Sequence, residues 1–164
     1  MTTKYFVPQP KTCEELKSQY RNLAFDYHPD RGGDTNKMQL INNEYSDLFR
    51  SLKDIHLNVK GEIYSANQST TEIPEDFVNI INILIRFENV IIEIIGRFIW
   101  VTGNTRPYKD ILKQNSFKWH SNKKAWYLPY EGYVKRNKLN YTMNDIRNMF
   151  ETQEIQTVQT TKIA

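Results

Sequence analysis

One cysteine, Cys13, stands in a chain of 164 residues. A single thiol can neither close an internal disulfide nor complete a cysteine-based zinc site, so a reducing compartment is expected. Histidine is almost as scarce. His28, His56 and His120 are scattered without ligand spacing, and no metal is expected. No long apolar run is present. The most apolar stretch, residues 77–95, is broken by Asn79, Asn82, Arg86, Glu88, Asn89 and Glu93. Each charge at a bilayer centre would cost roughly 2.5–3.5 kcal/mol, which excludes a membrane span there. Residues 1–10 lack an apolar core of signal-peptide type, and the expected location is the cytoplasm. The sequence also has no Walker loop, no paired catalytic carboxylates, no nucleophile elbow and no C-x-x-C. No catalytic residue and no cofactor are expected, and the chain reads as non-enzymatic.

What is present is a folded composition. Hydrophobic residues make up 39% and charged residues 25%, too apolar for a disordered chain. The net charge of +3 conceals an uneven distribution. Residues 61–96 hold one Lys/Arg and six Asp/Glu, whereas residues 97–140 hold ten and two. The organisation changes in the same region. Residues 1–57 follow a helical period; residues 58–73, with Gly61, Ser65, Asn67, Gln68 and Ser69, read as a linker. Residues 74–152 alternate helix and strand patterns, and residues 153–164 read as a loose tail.

Thr12-Cys13-Glu14-Glu15 has the form of a capping box. Leu16, Tyr20, Leu23, Ala24 and Tyr27 then mark one face of a helix that Pro29 ends. Asp30-Arg31-Gly32-Gly33-Asp34 reads as a loop whose last residue caps a second helix, striped by Met38, Ile41, Tyr45, Leu48 and Leu52. Two such helices joined by about six residues pack as an antiparallel hairpin. The run from Tyr20 to Phe49, with His28-Pro29-Asp30 between the helices, L-A-x-x-Y before it and N-x-x-Y after it, resembles the J domain of the DnaJ family over about residues 11–53. The compact HPD-x-GGD form is similar to the shortened J domains of viral T antigens and mitochondrial import co-chaperones.

The resemblance implies a co-chaperone that docks on a DnaK-type chaperone and stimulates its ATPase. Asp30 would pair with a basic group on the chaperone, His28 would fix the loop by a hydrogen bond, and Pro29 would stiffen it. Lys17 and Arg21, four apart on the polar face of the first helix, and Arg31 in the loop would add steering charge. Asn22 and Asp26 stand where the family usually carries basic residues, so the docking face is thinner in charge than usual. The family's first helix is reduced to Tyr5-Phe6-Val7-Pro8, expected to cover the open side of the hairpin. The zinc-binding and Gly/Phe-rich regions of larger DnaJ proteins are missing.

The remaining sequence reads as a small α+β domain with two β-hairpins and flanking helices, making the whole chain α+β. Pro74-Glu75-Asp76 opens a helix bearing Phe77, Ile80, Ile81, Leu84 and Ile85. Residues 90–95 and 98–102 read as strands around the turn Gly96-Arg97. A helix over 106–115 should bury Tyr108, Ile111 and Leu112. A second hairpin joins 117–119 to 125–128, and a last helix covers about 142–152. The stretch from Trp100 to Leu128 is similar to a module of bacterial and phage-borne J-domain proteins, which implies a phage or mobile-element origin.

Residues 97–140 hold all three tryptophans, Trp100, Trp119 and Trp126, interleaved with Lys118, Lys123, Lys124 and Arg136. Three readings stay open: a core of tryptophans with lysines solvating the sheet edge, a surface for single-stranded nucleic acid, or anchors for a client protein. A DnaK-type chaperone and a target protein are thus the expected partners, with nucleic acid the alternative.

Overall fold

The computed structural model describes residues 3–133, 141–149 and 154–156. The chain forms two compact units, one of Met1–Leu57 with Glu62–Arg86, the other of Asn58–Gly61 with Phe87–Ala164.

The first unit is the helical hairpin and its covers. Helix α1 spans Cys13–Tyr27 and α2 spans Thr35–Leu52. Thr12 Oγ1 accepts the Glu15 amide at 3.2 Å, as a capping threonine should, while the Glu15 carboxylate accepts the amide of Lys11. Asp34 caps α2 by accepting from Asn36 and Lys37. Leu16, Tyr20 and Ala24 of α1 meet Met38, Ile41, Tyr45, Leu48 and Phe49 in a buried core. Tyr5–Pro8 does cover part of the hairpin. The Glu44 carboxylate gathers the amides of Lys4, Tyr5 and Phe6, which seats the fully buried Phe6 ring beside Tyr45.

The division of the chain differs from the one read from sequence. The stretch 58–73 is not an open linker: β1 (Ile55–Leu57) pairs antiparallel with β2 (Ile63–Ser65), and Asp54 accepts from the Ser69 hydroxyl and the Thr70 amide. Helix α3, Pro74–Leu84, belongs to the first unit rather than to the second. Phe77 is 1% exposed, its ring 5.9 Å from Tyr20 and 6.0 Å from Tyr45 between centroids. Burial of such a ring contributes roughly 1.5–3 kcal/mol, and Ile81 and Leu84 add to it. An apolar stripe of this kind must find a partner face, and the aromatic side of the hairpin supplies one.

The second unit is an antiparallel sheet in the order β5-β6-β4-β3-β7. Strands β3 (Val90–Ile95) and β4 (Phe98–Gly103) turn through Gly96-Arg97, with Gly96 at φ 58°. After α4 (Lys109–Gln114), β5 (Lys118–His120) and β6 (Ala125–Leu128) form the second hairpin. Leu112 is buried and Tyr108 stacks on Phe87 at 4.0 Å, but Ile111, expected inside, is 40% exposed. Helix α5, Met143–Met149, lays Met143 and Ile146 against Ile95, Trp100 and Ala125. Arg147 grips the fully buried Glu93 with two hydrogen bonds of 2.7 and 2.6 Å. The expected tail contributes a strand, β7 (Glu154–Gln156), on the free edge of β3. Residues 157–164 lie outside the described part.

Candidate functional site

The junction of α1 and α2 is a closed structure. The His28 carbonyl accepts amides from Arg31 and Gly33, and Gly32 at φ 80° donates to Pro29. A Cβ on Gly33 would lie 2.0 Å from the Tyr27 carbonyl oxygen, so only glycine lets the loop close on the end of α1. Pro29–Arg31 form one 3-10 turn. His28 lies beneath it, its ring fixed at both nitrogens. Nδ1 accepts the Asp30 amide at 3.1 Å. That nitrogen therefore carries no proton, and Nε2 donates to Asn82 Oδ1 at 2.9 Å. With partners at both ring nitrogens, the histidine orients the loop from below. Pro29 and Asp30 face outward.

Asp30 is not alone at the surface. Its Oδ2 accepts from Arg86 Nε at 2.9 Å, with side chains 40% and 68% exposed. The hydrogen bond from Arg86, followed by the nearby positive charge, holds the Asp30 carboxyl below the usual aspartate range. Arg31 turns away from the loop. Its guanidinium carbon lies 3.4 Å from the centre of the Phe25 ring and its Nε donates to the Phe25 carbonyl.

The expected polar face of α1 is covered. Arg21 is 2% exposed. Lys17 Nζ bonds both oxygens of Glu72 at 2.9 Å and sits 5.2 Å above the Phe77 ring. The reason is a second stripe. Lys17, Arg21 and His28 recur at i, i+4 and i+11; Lys17 and His28 of this face meet the α3 segment, and Tyr20 of the first stripe touches both Tyr45 of α2 and Phe77 of α3. Glu72 and Phe77 lie beside Lys17, Asn82 beside His28, and Arg86 beside Asp30, so α3 runs parallel to α1. Sequence reasoning missed Glu72, Asn82 and Arg86. One signal pointed to the last: Arg86 is the single Lys/Arg within residues 61–96.

Among the described residues, the basic and tryptophan side chains of the stretch 97–140 do not form one surface. Trp119 is 48% exposed on edge strand β5, while Trp126, opposite it on β6, is 5% exposed and Trp100 7%. Two of the three tryptophans are core, which removes Trp126 as an open stacking platform. Adjacent residues of a strand face opposite sides, so Lys118 lies on the face away from Trp119. Lys124 is exposed, at φ 51° in the β5–β6 turn, and Lys123 is half-buried. Arg136, and Lys135 and Lys138 beside it, lie outside the described residues, as does Phe150. Among the described residues, no helix is long and apolar enough to cross a membrane.

The chain is similar over 42 residues, at 40% identity, to the small t antigen of budgerigar fledgling disease virus. The match covers 26% of this chain and 29% of that protein, so the chain spans under a third of its relative's length. No family model matches and no solved structure matches.

Proposed function

We propose that the chain is a J-domain co-chaperone that docks on a DnaK-type chaperone through His28-Pro29-Asp30 and stimulates its ATPase, without catalytic residues of its own. One observation carries this reading: the tripeptide forms a closed turn at the tip of the hairpin, with the histidine locked below and the aspartate carboxylate at the surface, where Arg86 pairs with it. The likeness to a viral small t antigen supports it and fits a viral or mobile-element origin. Asp30 is the contact group, Pro29 stiffens it, and His28 positions both. Lys17 acts from behind by holding the α3 segment through Glu72, Arg31 by tying the loop to Phe25, and Arg21 by its place inside the packed helices rather than at the surface. The second unit selects the target, and the pair works in the cytoplasm.

The test is the chaperone's steady-state ATPase rate with and without the purified protein. Stimulation is expected from the native chain and not from His28→Gln, which loses the imidazole that fixes the turn. Equal stimulation by both proteins would sink the assignment.

The exposure of Trp119 beside the β5–β6 turn that carries Lys124 favours a second reading, in which this corner stacks and neutralises a single-stranded nucleic acid. Such binding weakens with salt and on Lys123→Glu and Lys124→Glu. Its absence at about 50 mM salt would remove this reading.

A further inference from the structure

Three residues of the docking face expected from the sequence each have a partner from the α3 segment: Lys17 has Glu72, His28 has Asn82 and Asp30 has Arg86. The three contacts differ in depth. Glu72 and Lys17 are 26% and 19% exposed beside the buried Phe77, and Asn82 bonds a histidine ring that is 11% exposed. Arg86 and Asp30 meet near water through one hydrogen bond. Pulling α3 away would uncover Phe77, Ile81 and Leu84 together with Tyr20 and Tyr45, whereas the Arg86 side chain is already 68% exposed.

We propose that Arg86 is a built-in latch on the docking loop: it occupies the Asp30 carboxylate in the resting protein, and a cationic group of the chaperone takes its place while α3 stays seated. This inference rests on the co-chaperone reading and adds to it a regulating residue contributed by the turn that follows α3, outside the hairpin. A carboxylate already held by an arginine is available to a second cation only for the fraction of time the first is absent. The apparent affinity is reduced by that fraction. Because the pair is exposed, the fraction is large and the effect moderate. Removing Arg86 should lower the half-maximal concentration about two- to five-fold. The latch is electrostatic, so its effect should shrink as salt rises. Asn82, by contrast, is a positioning residue. Its loss frees the His28 ring and should lower the maximal stimulation without tightening binding.

The experiment is a titration of the chaperone's ATPase with the full-length native protein, Arg86→Ala, Arg86→Lys and Asp30→Asn, at low and high salt. Circular dichroism confirms that each variant is folded. The latch predicts a lower half-maximal concentration for Arg86→Ala, a near-native value for Arg86→Lys, no stimulation by Asp30→Asn, and convergence of Arg86→Ala with the native protein at high salt. An unchanged or higher half-maximal concentration for Arg86→Ala, beside a native protein that stimulates and an Asp30→Asn that does not, overturns the latch and leaves the co-chaperone reading standing. Absence of stimulation by both the native protein and Arg86→Ala overturns both.

Discussion

Each unit of the protein contains an arginine–carboxylate pair joined across more than fifty residues of sequence, and these two pairs are built differently. In the sheet unit Arg147 holds Glu93 with two short hydrogen bonds, and the Glu93 side chain is 1% exposed. In the helical unit Arg86 holds Asp30 with one bond of 2.9 Å in reach of water. A charge removed from water depends wholly on its partner, whereas an exposed charge can exchange its partner at little cost. The buried pair therefore belongs to the architecture, fastening α5 to β3. The exposed pair is suited to exchange, at the loop that carries the proposed activity.

Breaking each pair from its arginine side separates the two roles. Arg147→Ala leaves the Glu93 carboxylate buried without its guanidinium and should destabilise the second unit by about 3 kcal/mol. Denaturant unfolding followed by tryptophan fluorescence reads this directly, since all three tryptophans lie in that unit. Arg86→Ala should lower the stability of the first unit only slightly, far less than Arg147→Ala lowers that of the second. A large loss there would make the exposed pair structural as well, and the contrast would vanish.

A smaller effect sharpens the comparison. In the native protein Asp30 should titrate below an ordinary aspartate, because Arg86 favours its charged form. A carboxyl depressed in the folded state stabilises that state above its unfolded value, and the contribution is lost as pH falls through the folded value. NMR titration should show this native shift, and Arg86→Ala should return Asp30 to the ordinary range. An unshifted Asp30 in the native protein would mean that the pair does not persist in solution.

Local signals were legible in the sequence. Thr12, Pro29 and Asp34 mark helix ends through their own backbone chemistry, and Gly96-Arg97 marks a hairpin because a two-residue turn favours glycine. The backbone closure of the loop around His28 was also legible, since the hydrogen bonds that close it come from residues within six positions, whereas Asn82 and Arg86 reach it from more than fifty residues away. The role of α3 was not. The stripe of Phe77, Ile81 and Leu84 announces a buried face without naming what it covers, and Tyr20 and Tyr45 lie more than thirty residues away. For the same reason Lys17 and Arg21 read as solvated: a periodicity shows which residues share a face, and a second covering helix can bury a face that a single hairpin would leave open. The tryptophans were legible in part: the core reading holds for Trp100 and Trp126, while Trp119 lies exposed. Composition placed them together, and the alternation of strand residues then set Lys118 and Trp119 on opposite sides of the sheet.

The most direct test of the loop's role is single-turnover ATP hydrolysis by a purified DnaK-type chaperone in the presence of the native protein or Asp30→Asn. This change removes one charge at the surface and leaves the backbone of the turn intact. Acceleration by the native protein and none by the variant, at equal unfolding midpoints, is the predicted result. Full acceleration by Asp30→Asn would contradict it.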